Sequence, residues 1–361
     1  MKPYTQNHPG KMNRTLLIIL TLLSCFGNAC RKDLPMEIVV AKKVMVSTVA
    51  GDGNFGFSDG PALESRLKFP FDVVVNAGGD LYIADGYNHR IRKLSGGVLS
   101  SFAGSATRDT VNGNGSAAGF TLPICLTIDN NGNIYTLDAD DGRIRKITPS
   151  ADVSTYAGNT DFGFKDGNAS TALFGQGFGI LTDLAGNIFM TDAVNHRVRE
   201  ITRTGQVLTI AGNDSAGFEN GKGILASFNF PEGIAMDKEG NLFVADLNRI
   251  RKITPAGDVT TFAGSGISGF ADGAPAVAMF SDLKDMVADA SGNLFVADEN
   301  RIRKIAPDGF VTTIAGGEGG FADGDADSAR FSLPEGLGID REGNIYVADS
   351  NNHRIRKISF Q

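Results

Sequence analysis

Residues 344–358 read NIYVADSNNHRIRKI: an apolar strand, a polar turn through Asn352-His353-Arg354, and a second strand with basic and apolar residues interleaved. The same pattern returns as DLYIADGYNHRIRKL from Asp80, NIYTLDADDGRIRKI from Asn133 and NIFMTDAVNHRVREI from Asn187. It returns twice more, with a turn two residues shorter, as NLFVADLNRIRKI from Asn241 and NLFVADENRIRKI from Asn293. Six copies spaced roughly every 53 residues fall in the range of propeller and solenoid repeats.

Two further segments travel with each copy. A hexad of alternating β-branched residues ending in Ala-Gly appears as VSTVAG from Val46, VSTYAG from Val153 and VTTIAG from Val311, and reads as a strand running into a turn. A longer loop follows, built on Gly-Phe-x-Asp/Asn-Gly, as in Gly56-Phe57 with Asp59-Gly60. Asp-Gly and Asn-Gly suit turns with positive φ, and the phenylalanine is expected to pack as a lid on the loop. The second copy departs, with Thr110 in place of the phenylalanine. A strand starting near proline comes next, as in PEGIAM from Pro231.

Each unit therefore holds four strands: A (the proline strand), B (NIYVAD), C (RIRKI) and D (VTTIAG). Four antiparallel strands repeated around an axis make a propeller blade. The sequence stops after the sixth strand C, and the first hexad has no strands A–C before it. These pieces are complementary, so residues 46–50 are expected to serve as the outer strand of the last blade and close the ring. The expectation is an all-β, six-bladed β-propeller of four-stranded antiparallel blades over residues 45–361. The 46 glycines and absent tryptophan suit many short strands joined by tight turns.

The segments PEGIAMDKEGNLFVAD and PEGLGIDREGNIYVADSNNHRIRKI resemble NHL repeats, and the resemblance covers nearly all of residues 46–361. It implies the six-bladed propeller but no single activity. Such propellers include protein- and RNA-binding modules, adhesive or glycan-binding extracellular domains and a zinc lyase. Related ones include calcium-dependent lactonases.

Upstream, Lys11 and Arg14 precede an apolar run from Leu16 to Leu23 that is too short to span a bilayer. Residues 1–30 resemble a bacterial lipoprotein signal, with Met1 or Met12 as the start. Cys30 is the favoured acylated residue, because the polar run of Arg31, Lys32 and Asp33 begins a tether over residues 31–44; Cys25 is the alternative. The implied location is a bacterial envelope, lipid-anchored at the outer membrane or cell surface, and otherwise secreted. The membrane is touched through the anchor alone. A net charge of −7 argues against nucleic acid as a partner, and the chain is expected to be monomeric.

The Asp ending strand B and the Arg opening strand C occur in all six copies: Asp85/Arg90, Asp138/Arg143, Asp192/Arg197, Asp246/Arg249, Asp298/Arg301 and Asp349/Arg354. A ligand site seldom needs one pair on every blade, so these are read as carboxylate–guanidinium clamps. The histidines of the repeats, His89, His196 and His353, occupy equivalent turns on separate blades. They cap turns and cannot converge on zinc. Cys125 reads as a small buried residue.

The blades differ just after the proline position. There Asp72, Glu232, Lys284, Asp285 and Glu335 are expected at one mouth of the central channel, on the face carrying the long D–A loops. This supports a non-enzymatic, envelope-anchored scaffold binding a protein or glycan on the loop face, with no required cofactor. The alternative is a calcium- or other metal-assisted lactonase, hydrolase or lyase with Glu232, Asp285 and Glu335 as oxygen ligands.

Overall fold

The computed structural model describes residues 43–361, so Cys25, Cys30 and the signal and tether readings up to residue 42 lie outside the described residues. Six antiparallel sheets form six blades. Blade 1 is representative: A is Pro70–Val75, B Leu81–Asp85, C Arg90–Ser95 and D Val98–Ala103. Strand B is buried along its whole length, because both of its faces are covered by neighbouring blades. The core lies between blades: Val244 and Ile253 of blade 4 pack against Phe189 and Val198 of blade 3.

The chain enters the wheel at its end. Val44–Ala50 pairs antiparallel with Arg354–Phe360, placing Val46 opposite Ile358, and supplies strand D of blade 6. Blades are not uniformly four-stranded. In five of the six sheets a two-residue strand from the long loop, such as Gly60–Pro61, adds to strand D. In blade 5 a lone bridge between Gly273 and Val311 takes that role. The sequence expectation missed this fifth strand because two residues around Asp-Gly read only as a turn.

The innermost strands A are Pro70–Val75, Pro123–Ile128, Gly177–Thr182, Pro231–Met236, Leu283–Ala288 and Pro334–Ile339. In every one the pairing with strand B slips just after its first residue, as between Pro231 and Ile234. A bulge at a rim re-aims side chains, and here it frees the residue that follows the proline position in every blade and the next one as well in blades 3–6.

Candidate functional site

The clamps are built differently from the sequence expectation. Asp85 and Arg90 are ladder partners, but the ion pair forms with Arg92, 2.7 Å away, and both groups are fully buried. Arg199, Arg251, Arg303 and Arg356 repeat it at 2.6–3.0 Å, and Arg145 stands 3.6 Å from Asp138. The same guanidiniums bond loop carbonyls and the Asp or Asn of the Gly-Phe loop. Arg92 donates to Asp59 and to the Ser58 carbonyl, and Arg145 to Asn112. The residues read as clamps, Arg90, Arg197, Arg249, Arg301 and Arg354, instead lie under the loop phenylalanines at 3.9–4.1 Å from the ring centres. Arg143, in the blade lacking that phenylalanine, stands 3.6 Å from Asp141.

The histidines end their turns in left-handed conformations and reach the next blade. Nδ1 of His353 accepts the Phe69 N–H at 3.3 Å, and that of His196 accepts the Phe230 N–H at 3.2 Å. His89 Nδ1 donates to the Thr121 carbonyl. Each serves its own seam, and they do not converge.

The five channel residues do converge. Asp72, Glu232, Lys284, Asp285 and Glu335 line one cavity of about 250 Å³. The residues directly after the proline position form its ring: Phe71, Ile124 and Phe178 from blades 1–3, then Glu232, Lys284 and Glu335 from blades 4–6. The mouth is thus apolar on one side and charged on the other. Phe230 adds to the apolar wall, its ring 5.3 Å from that of Phe178. These aromatics were missed as site residues; their signal was the shared ring position, which charge alone does not reveal.

Lys284 Nζ lies 3.4 Å from Glu232 Oε2 and 3.0 Å from Asp282 Oδ1. Burial pushes the Glu232 carboxyl up to about 7 against the pull of Lys284, and burial also raises Glu335. Burial opposes the charge of Lys284, but Glu232, Asp282 and Glu335 together outweigh it, so the ammonium is held more firmly than usual.

The floor holds the residues one step further along strands A. Gly179, Gly233 and Gly336 sit where a side chain would strike the next blade; a Cβ on Gly233 would fall 2.4 Å from the Lys284 carbonyl. Blades 1 and 5 carry Asp72 and Asp285 there. Asp72 Oδ2 accepts the Leu126 N–H of blade 2 at 2.6 Å, and Asp285 Oδ2 accepts the Leu337 N–H of blade 6 at 2.9 Å. These carboxyls bridge neighbouring blades below the mouth. Burial raises Asp285 to about 7; burial and the nearby Asp285 charge raise Asp72. Cys125 shares this floor as a buried thiol, pushed up by burial and by Asp72. Among the described residues, no group of three or more His, Cys, Asp or Glu side chains stands close enough to hold a metal ion. Around Glu232, Asp285 and Glu335, offered above as oxygen ligands, Lys284 stands beside Glu232 and Asp285 Oδ2 accepts a backbone N–H.

The NHL repeat model matches residues 67–94 and 331–358. Protein SUPPRESSOR OF QUENCHING 1, chloroplastic, from Arabidopsis thaliana is 29% identical over 221 residues, covering 56% of this chain and 21% of the plant protein. Teneurin-1 of Mus musculus is 24% identical over 373 residues, covering 87% of this chain and 13% of the teneurin. The chain thus spans about a fifth or less of these curated relatives. Among solved structures, an auxiliary nutrient binding protein from Bacteroides thetaiotaomicron superposes with a TM-score of 0.68 at 16% identity, covering 91% of this chain and 79% of that one. A gluconolactonase from Xanthomonas campestris superposes with a TM-score of 0.60 at 11% identity, covering 90% and 93%. At such identities these likenesses show the fold alone. The chain is a six-bladed β-propeller that carries NHL repeats.

Proposed function

We propose that this propeller is a non-enzymatic recognition scaffold of a bacterial envelope, binding a protein or glycan on its loop face. The observation that carries the reading is the divided mouth, with apolar walls from blades 1–3 facing three ionisable groups from blades 4–6. Concave apolar sites with a few convergent polar groups are typical of binding sites. Auxiliary nutrient binding proteins share this fold, as does a gluconolactonase, so the reading rests on the mouth. The orientation suits an anchored receptor: strand Val44–Ala50 starts beside Gln361, with Lys43 and Gln361 exchanging two backbone hydrogen bonds at the face opposite the loops.

The test is to probe arrays of envelope proteins and polysaccharides with the full chain. A ligand retained by the chain, lost on Lys284→Met and kept on Arg341→Ala at the opposite face, supports the reading. Retention of nothing, or retention indifferent to both substitutions, sinks it.

A further inference from the structure

The exposed aromatic rings of the loop face fall into two sets. Phe57, Phe164, Phe218, Phe270 and Phe321 lie over arginine guanidiniums, so their places are explained within the blade. Phe55, Tyr87 and Phe162, the counterpart of Phe55 in the loop entering blade 3, cover no arginine, yet they are 64%, 47% and 52% exposed. Phe55 and Tyr87 belong to a continuous series. Phe55 lies 6.1 Å from His353, His353 is 4.7 Å from Phe69, Phe69 is 5.4 Å from Tyr87, and Tyr87 is 5.7 Å from Phe71. Phe71 is a wall of the mouth. The rings therefore step from the rim of the loop face into the cavity along the seam of blades 6 and 1. The positions equivalent to Tyr87 in the other long turns are Asp140, Val194 and Asn351, so the series belongs to this seam.

The charged half of the mouth narrows the ligand. A cationic group entering there meets Lys284 already beside Glu232. An anionic group meets Glu232 and Glu335. Among the described residues, no hydrogen bond or ion pair reaches the Glu335 carboxylate. A hydroxyl donates to a carboxylate and accepts from an ammonium, so a neutral ligand with several hydroxyls satisfies both kinds of group without adding charge. A ring whose other face is C–H covers aromatic walls. At about 250 Å³ the cavity is smaller than the ~300–1,000 Å³ that encloses a drug-sized ligand, and so takes about one small ring.

We propose that the mouth takes the terminal ring of a neutral oligosaccharide, and that the following sugar units lie along the Phe71–Tyr87–Phe69–Phe55 series. The inference rests on the reading of the mouth as a binding site and adds the ligand class, its orientation and a second contact surface.

The experiment is calorimetry of the full chain with neutral oligosaccharides of one to about six units in several linkages. Length-matched uronic acid and amino-sugar chains, and oligolysine and oligoglutamate peptides, are run beside them. The expected result is binding of a neutral series, with affinity rising over the first few units. Tyr87→Ala and Phe55→Ala, both at exposed positions, should each weaken the longer members roughly three- to tenfold and leave the single ring unchanged. Phe178→Ala and Glu335→Ala should weaken every member. Preference for a charged ligand that still depends on Phe178 and Glu335 overturns the saccharide assignment while leaving the mouth as a site. Neutral binding that is flat with length, or unmoved by Tyr87→Ala, overturns the aromatic series. Binding of no probe in a manner sensitive to Phe178→Ala overturns this inference, while the proposed function is decided separately by the arrays of envelope proteins and polysaccharides.

Discussion

The guanidinium of Arg356 meets the carboxylate of Asp349 at 2.7 Å with both groups fully buried, while Arg354, the ladder partner of Asp349, lies over the Phe321 ring at 3.9 Å. Arg356 also bonds Asp323, whose other oxygen accepts the Thr48 N–H on the strand that closes the wheel. One guanidinium thus joins strand B, the long loop and, through that loop, strand D. Leaving a buried charge without its partner costs about 3–5 kcal/mol.

The two arginines should therefore respond differently. Arg356→Lys cannot reproduce the forked contacts and is expected to destabilise by about 3 kcal/mol. Arg354→Lys keeps a cation near Phe321 and should cost about 1 kcal/mol. Urea denaturation of both variants checks this; an equal cost would place the clamp at the wrong arginine.

Asp141 stands where blades 1, 3 and 6 carry Asn88, Asn195 and Asn352. Each asparagine donates to its strand-B carboxylate, as Asn88 does to Asp85 at 2.8 Å. Asp141 cannot do so when ionised, its Oδ2 is buried without a hydrogen-bond partner, and burial and the neighbouring Asp138 push its carboxyl up to about 6. The native state therefore holds this proton more tightly than the unfolded chain does. The group's contribution is intact below about pH 4 and is lost as pH rises through about 6. Asp141→Asn should match the parent at pH 4 and exceed it by about 1–2 kcal/mol at pH 8. Denaturation curves at both pH values measure the gap, and a gap that does not widen would refute the assignment.

The wheel and the mouth were legible in the sequence for a common reason: the repeat fixes which residues occupy equivalent places. The ring holding Phe71, Ile124, Phe178, Glu232, Lys284 and Glu335 is a single register position, so counting from the proline finds it. The correct arginine was not legible, because ladder register pairs Asp349 with Arg354, whereas a long side chain reaches its partner diagonally. Nor was the use of Asp323 as a second anchor, since it lies 33 residues from Arg356 and local turn chemistry already accounts for Asp-Gly. The aromatic walls escaped for a related reason. A phenylalanine at the start of a strand reads as core until the bulge turns it into the channel.

Closure makes its own demand. Val46 is buried and pairs with Ile358, so Val46→Asp places an unpaired carboxylate in the core of blade 6. It should lower stability by about 3 kcal/mol or more, whereas Thr48→Ala, which removes only the hydroxyl bond to Asp323, should cost about 1 kcal/mol. Thermal melts separate the two. If Val46→Asp is silent, the strand does not seal the ring.

Lys284 supplies the last test, because its role in the mouth predicts a pH signature that a packing role does not. Glu232 has its carboxyl raised to about 7 by burial, with Lys284 opposing that rise, and Glu335 is raised in the same way. Each raised acid favours the native state at low pH, and that advantage is lost as pH rises from about 4 through the folded value. Lys284→Met keeps the length and apolar stem but removes the opposing ammonium, so both folded values climb further and the loss extends above pH 7. At pH 5 Glu232 is protonated in the native state and the variant should fall within about 1 kcal/mol of the parent, the cost of packing alone. At pH 8 the unfolded chain has released its carboxyl protons while the native variant has no cation to favour their release, and the deficit should grow to about 2–3 kcal/mol. Urea titrations at the two pH values decide it. A deficit equal at both would mean that Lys284 only fills space, and the charged half of the mouth would lose its organising group.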